Sequence, residues 1–367
     1  MKKFVALMLA LAMVFALAAC GSSSAPAAAP AASGSAPAAA PAASGSAPAA
    51  APAADAGYPE MNIIMTCNGQ SDAANDCIGA NLFKQYIEEK SGGKITVTVY
   101  NNDQLAGGDM TKGLELVVGG DVQIDIHSTS IISRLDNRLM VSCLPWTFGS
   151  YDECEQAFLG GKGGEFVASV LAEHGLTYLG ALHNGFKAMT SSKCQITKPA
   201  DLVGQKIRTP GGDLWNGFWS ALGASPQAMS WSEVYTAMQQ GTIDGHDNSL
   251  STINSANVQE VQHYITISNH TYEAFTWTAN TAWFDGLDAN TQALIRECAE
   301  QACRDANAQI VASMDAIKEK FIKENGCEVY ELSDEEIEVF KAAVADVTKE
   351  YAAQYGADAC AAFGITV

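Results

Sequence analysis

Apolar side chains are distributed along this chain in three different ways. Residues 4–19 form an unbroken apolar run behind Lys2 and Lys3 and end at Cys20. That is the plan of a secretory signal peptide over 1–19, not of a membrane-spanning helix. From Ser24 the apolar residues are almost all alanine, and copies of SAPAAAPAASG begin at Ser24, Ser35 and Ser46. Such a stretch has no side chains with which to build a core, and its prolines interrupt any helix. It reads as an extended, semi-flexible tether over 20–57.

Larger apolar residues recur with a period only from Tyr58 onward. Segments 61–67, 94–100 and 122–127 read as strands, and 81–90 and 111–118 as the helices between them. This alternation predicts an α/β lobe with a largely parallel sheet. Segment 153–174 is helical but interrupted by the glycines of 160–164, and 176–182 is a strand leading out of the first lobe. The same alternation restarts at 187–190 and 205–209, followed by a helix over 213–222 in which Leu214, Phe218 and Leu222 are four apart. Two sheets side by side are therefore expected. Segments 264–267 and 274–280 read as strands crossing between the lobes, and 290–324 as one long helix. Ser333 and Glu336 form a capping box for a last helix that Gly356 ends. The remaining length of about 310 residues suffices for two lobes, each with a sizeable core. Lobe I is placed at about 58–183 plus 270–310, and lobe II at about 184–269 plus 311–367.

A net charge of −20, from 41 acidic against 21 basic residues, excludes nucleic acid and anionic membrane surfaces as partners. It also repels an anionic small molecule weakly. Screening over about 8 Å confines that effect, so capture of an anion must depend on a local cation. The Leu17-Ala18-Ala19-Cys20 sequence fits a lipobox, which makes Cys20 a site of lipidation and a two-chain membrane anchor. Nine further cysteines remain, an odd number that leaves at least one free thiol. Cys67 with Cys77 and Cys143 with Cys154 are close enough in sequence to pair.

The chemistry concentrates in 206–250, KIRTPGGDLWNGFWSALGASPQAMSWSEVYTAMQQGTIDGHDNSL. Ile207, Arg208 and Pro210 end a strand, Trp231 precedes Ser232-Glu233-Val234-Tyr235, and Asp244-Gly245 leads through Asp247 to Asn248. In order and spacing this resembles the core motif of solute receptors from TRAP transporters, the tripartite ATP-independent periplasmic uptake systems. The resemblance covers essentially all of 58–367. It implies an α/β fold of the two-lobed periplasmic-binding-protein type, with a hinge and a long helix spanning both lobes, for which 290–324 is the natural candidate. It also implies a small organic carboxylate as ligand and TRAP permease membrane subunits as partners. A monomer is expected.

The residues make physical sense in that role. Arg208 alternates with Ile207, so the aliphatic side chain can anchor in the core while the guanidinium leaves the other face where Pro210 ends the ladder. Strand ends facing a crevice are where open α/β sheets bind ligands. A carboxylate taken out of water must be paired and hydrogen-bonded, and the planar fork of Arg matches it. Ser230 and Glu233 cap a helix whose first turn holds Trp231, which offers free N–H donors and an indole wall. Asn248 stands where the family has an amide contacting the ligand carboxylate, followed here by Ser249 where relatives usually carry Pro. Lys187 stands where many relatives have a second arginine, keeping the charge but losing the fork. His127, Ser130 and Gln70 follow strand ends on the same side and are candidates for the distal end of the ligand.

Rival chemistries are poorly supported. The Gly160 to Gly164 cluster has no Ser or Thr after Lys162 and no strand leading into it, so it is no phosphate loop. Neither GxSxG nor HExxH occurs, and there is no CxxC, so no catalytic residue, cofactor or resident metal is expected. An enzyme built on Asp244, His246 and Asp247 is one alternative. A ligand sensor docking to a signalling receptor is another, and the sequence does not separate it from transport.

Overall fold

The computed structural model describes residues 57–366. The segments expected to be signal peptide, lipidated Cys20 and tether, up to residue 56, lie outside them. Among the described residues nine strands form one sheet: β1 (Met61–Cys67), β2 (Ile95–Tyr100), β3 (Ile124–Ser128), β4 (Leu176–Ser191), β5 (Lys206–Thr209), β6 (Ser225–Ala228), β7 (Gly245–Asn248), β8 (Tyr264–Asn280) and β9 (Glu328–Glu331). Their order is β2-β1-β3-β8-β4-β7-β5-β6, with β9 off this path, paired to the first residues of β8. β1 pairs in parallel with β2 and β3, and β5 with β6 and β7. β8 is antiparallel to β3 and β4, and β4 to β7.

Both lobes are present, but the two expected sheets are continuous. The cause is the length of β4 and β8, 16 and 17 residues, which run side by side through both halves. The first half of β4 and the second half of β8 join the β1–β3 side, while their other halves join β7 and β9. Between these halves the register slips at His183/Gly185 and again at Phe186/Ala188. Gly185 sits at this crossing with φ 117°, and a Cβ there would stand 2.9 Å from the Ser249 Cβ. Only glycine fits such a backbone at such a distance. In sequence, Asn184-Gly185 and the polar Ser268-Asn269-His270-Thr271 look like breaks, which is why each strand reads as two shorter pieces.

Helices cover the sheet. Asn75–Lys90 packs Phe83 and Ile87 onto β1 and β2, and starts earlier than its sequence suggests because Ala74 offers no capping side chain. Gly79 lets it approach Leu182 and Trp277 where a Cβ would meet the Leu182 side chain at 2.4 Å. Tyr151–Phe158 and Lys162–Glu173 are separate helices broken at Gly160 and Gly161. The long helix Ala289–Lys323 has 35 residues, about 52 Å at the usual rise. Ala299, Ala302 and Ala306 along its first part pack in the β1–β3 core, while Ile317 and Phe321 near its end join the central core. Behind β5, a core of Ile207, Phe218, Trp219 and Leu222 is closed by Phe340 and Val344 of the helix Asp334–Tyr355. Ser333 caps that helix and Gly356 follows its last residue, as the sequence implies. Among the described residues no helix is long and apolar enough to cross a membrane.

Candidate functional site

The strand ends of the two halves face each other across a cavity of about 560 Å³, open solvent at its mouth included. Asn68, Gln70, Asn75 and Asp76 come to it from the end of β1 and the helix behind it. Asn184 and Lys187 come from the middle of β4, and Glu273 and Phe275 from β8. Arg208, Trp231 and Asn248 come from the β5–β7 side. Hydrogen bonds tie the two rims together, among them Asn75 Nδ2 to Ser251 Oγ at 2.8 Å. Gln70 Nε2 donates to the Trp231 carbonyl at 3.2 Å, Ser71 Oγ to that of Ser255 at 3.5 Å, and Ser232 Oγ to that of Gly108 at 3.1 Å.

Arg208 is only 4% exposed. Its Nε and Nη2 both donate to the Met229 carbonyl, at 3.2 and 3.0 Å, and its guanidinium carbon lies 5.4 Å from the Trp231 ring centre. Among the described residues no carboxylate lies within 4.0 Å of it. Burial pulls its pKa from 12.5 down to about 10, against the opposing pull of Asp247 and Glu273. The protein thus holds a desolvated cation beside a cavity. Trp231 opens the helix Trp231–Gln239 and stacks on His246, ring centres 5.8 Å apart. Asn248 accepts from the Ser249 N–H through Oδ1, which leaves its NH2 with no protein acceptor among the described residues.

Lys187 lines the cavity but is already paired. Its Nζ lies 2.9 Å from Glu273 Oε2 and 3.6 Å from Asp247 Oδ2, and Trp215 covers it. Burial alone would lower its pKa, but the two carboxylates outweigh that and raise it. It is a buried ammonium paired with Glu273 and Asp247 at the cavity wall. Gln70 lines the cavity, with its amide donor committed to the opposite rim.

His127 and Ser130 do not line it. The His127 ring is fully buried, with Nδ1 2.5 Å from Asp125 Oδ2 and Nε2 2.7 Å from Asp103 Oδ1. Asp103 in turn accepts from Asn68 Nδ2 at 2.7 Å, so His127 supports the rim from behind. Burial disfavours a charged His127, but the two flanking carboxylates more than compensate and its pKa rises well above 6.5. Ser130 accepts from Trp215 Nε1 at 2.9 Å and gives its own N–H and hydroxyl to Glu273 Oε1. His127 lies within β3 itself and Ser130 in the helix Thr129–Ile132 that follows, and both side chains stand behind the wall.

Residues that sequence reading passed over include Asn75, Asp76, Asn184 and Glu273. Asp76 accepts from the Gly69 N–H at 2.7 Å through Oδ2, while its Oδ1 is buried without a partner. Burial lifts its pKa to about 6, against the pull of the Gly69 N–H. Glu273 does carry a signal, as the lone acid of the long, largely buried strand β8. Asp76 carries none, since it lies ahead of the segment 81–90 that reads as helix. The supposed triad does not converge. Asp244 binds the Lys206 N–H and Lys193, His246 pairs with Thr190, and Asp247 faces Lys187 and His270. Alternation along β7 sends these side chains to different faces. The nine described cysteines are free thiols. Cys67 and Cys77 touch, sulfur to sulfur 3.2 Å, with Asp76 beside them.

The model of the family DctP, described as bacterial extracellular solute-binding protein, family 7, matches residues 69–354. The chain belongs to that family. DctP members are solute-binding receptors rather than enzymes. The chain is similar to the C4-dicarboxylate-binding periplasmic protein DctP of Rhodobacter capsulatus, 30% identical over 285 residues, 77% of this chain and 84% of that one. It is also similar to the C4-dicarboxylate-binding protein DctB of Bacillus subtilis, 29% identical over 280 residues, 76% of this chain and 79% of that one. Among solved structures, the sugar acid binding protein DctPAm of Advenella mimigardefordensis in complex with galactonate superimposes with a TM-score of 0.79. It is 27% identical, covering 83% of this chain and 97% of that one. A TRAP periplasmic solute-binding protein of Shewanella oneidensis with bound succinate gives 0.77 at 27% identity, covering 82% and 97%. The two-lobed DctP fold, with its cleft at the strand ends, is thus the fold of this chain.

Proposed function

We propose that this protein is an extracytoplasmic TRAP receptor that captures a small organic carboxylate between its lobes and delivers it to the membrane subunits of a TRAP permease. The observation that carries this reading is Arg208, a buried guanidinium facing the cavity with no carboxylate of the described residues within 4.0 Å of it. A ligand carboxylate placed there would supply the missing counter-charge. It would accept from the Arg fork and the Asn248 amide while its carbon frame lies against Trp231. Binding and closure are then one event, because contacts from both lobes to one ligand exist only when the rims meet. Lipidation at Cys20, followed by the tether, would keep the receptor at the membrane where the permease works.

The test is a thermal-shift screen of organic acids, sugars and amino acids on the wild-type chain and Arg208→Met. Acids alone should raise the melting temperature of the wild type, and Arg208→Met should respond to none of them. Stabilisation by neutral sugars or amines, unaffected by Arg208→Met, would defeat the assignment.

A further inference from the structure

We infer that the ligand is a polyhydroxy monocarboxylate, one anionic head with a hydroxyl-bearing tail, and not a dicarboxylate. This rests on the reading of the cavity as a carboxylate site and narrows it. Charge placement is the argument. Two cations line the cavity, Arg208 and Lys187, and Lys187 is held at 2.9 Å by Glu273 and 3.6 Å by Asp247. Nearby cations offer no replacement. Arg134 is half-buried, lies outside the lining and gives its Nη2 to the Pro210 carbonyl at 2.9 Å, and His127 is clamped between Asp103 and Asp125. Among the described residues one cation, Arg208, is therefore left without a carboxylate within 4.0 Å and open to a ligand.

Away from Arg208 the wall offers the opposite of what a second carboxylate needs. Glu273 and Asp76 both reach the lining, and Asp76 Oδ1 is buried with no hydrogen-bond partner. A second carboxylate would meet like charge from Glu273 and Asp76 in a desolvated space. The neutral amides of Asn68, Asn184 and Gln70 complete a wall suited to hydroxyl groups, which both donate and accept.

Matched pairs that differ only by a terminal CH2OH against COO⁻ test this: gluconate against glucarate, and glycerate against tartronate. Calorimetry would use the whole chain, stripped of co-purified solute by unfolding and refolding, with glucose and glucosamine as neutral and cationic controls. The expected result is that a monoacid binds at least about 30-fold more tightly than its diacid partner, a gap that one unpaired group in such a site readily produces. Asp76→Asn should narrow the ratio within a pair, which a merely structural loss would leave unchanged because it weakens both members alike. Diacids binding as well as monoacids would overturn the inference while leaving the carboxylate reading intact. Binding of glucose or glucosamine with none of the four acids would overturn both.

Discussion

Replacing Arg208 by Met separates a ligand anchor from a structural arginine, because the two roles change stability and affinity differently. In the empty protein the guanidinium is desolvated, and the fall of its pKa from 12.5 to about 10 corresponds to roughly 3 kcal/mol against the charged form. Met removes that penalty and fills similar space. It also strips the Met229 carbonyl of both its Arg208 donors, a loss of about 1–3 kcal/mol for a buried acceptor. These terms nearly offset, so the stability of the empty protein should move by less than about 2 kcal/mol. Affinity has no such offset. Truncating one partner of a buried, hydrogen-bonded charge pair costs about 2–5 kcal/mol, a loss of roughly 30-fold to several thousandfold. Urea unfolding of the empty protein and calorimetry with the tightest acid of the screen measure the two quantities. Arg208→Lys, which keeps charge but not the fork, should fall between. Affinity within threefold of wild type for Arg208→Met would refute the reasoning. So would a stability loss above about 3 kcal/mol, which would make the residue a structural one.

Three further outcomes are expected. Lys187→Met leaves Glu273 and Asp247 without their buried ammonium and should destabilise the empty protein by about 3–5 kcal/mol in urea unfolding, more than Arg208→Met. Acid should weaken the fold below pH 6.5: burial holds His183 at about 4 and His246 at about 3, so the unfolded chain takes up protons the folded one refuses. Each histidine contributes a slope of about 1.4 kcal/mol per pH unit. Asp76, raised to about 6 from 3.8, opposes one of them over that window. His127 leaves it flat, since a raised histidine pKa gives stability that is already complete below 6.5 and lost only as pH climbs well above it. Urea midpoints from pH 7 to 4.5 should therefore fall with a net slope near that of one histidine, and His183→Gln with His246→Gln should reverse its sign. Oxidation of the folded protein with diamide should join Cys67 to Cys77 before any other described pair, read as a crosslinked peptide by mass spectrometry, because theirs are the sulfurs already in contact. A different crosslink appearing first would contradict that placement.

Much of the fold is legible in the sequence because its elements are locally encoded. The period of the apolar residues gives the strand and helix alternation, Ser333 with Glu336 gives a helix start, and Gly356 gives an end. The continuity of β4 and β8 is not encoded locally. Asn184, Gly185, Ser268 and His270 are polar or flexible, and they hold strand geometry because the partner strand is there. The same division applies to the candidate site. Arg208, Trp231 and Asn248 stand on motif residues at the ends of short elements, so where they go follows from where those elements stop. Lys187 was legible as a charge but not as a paired one, because Glu273 and Asp247 reach it only through tertiary pairing. His127 sits within β3 and Ser130 in the short helix after it, and neither side chain lines the cavity, because the partners that hold them, Asp103, Asp125, Trp215 and Glu273, reach them only through tertiary packing.

The two long strands shared by both halves also govern how the molecule moves and melts. Lobes joined by a loose linker can swing freely, whereas here every opening must twist a pair of hydrogen-bonded ribbons near Gly185 and Asn269. The receptor should behave as a leaf spring, with an elastic resting angle and a stiffness set by that irregular stretch. Neither half owns a complete set of strands, so the loss of one would leave ragged edges on the other, and heating should dissolve both in one cooperative step.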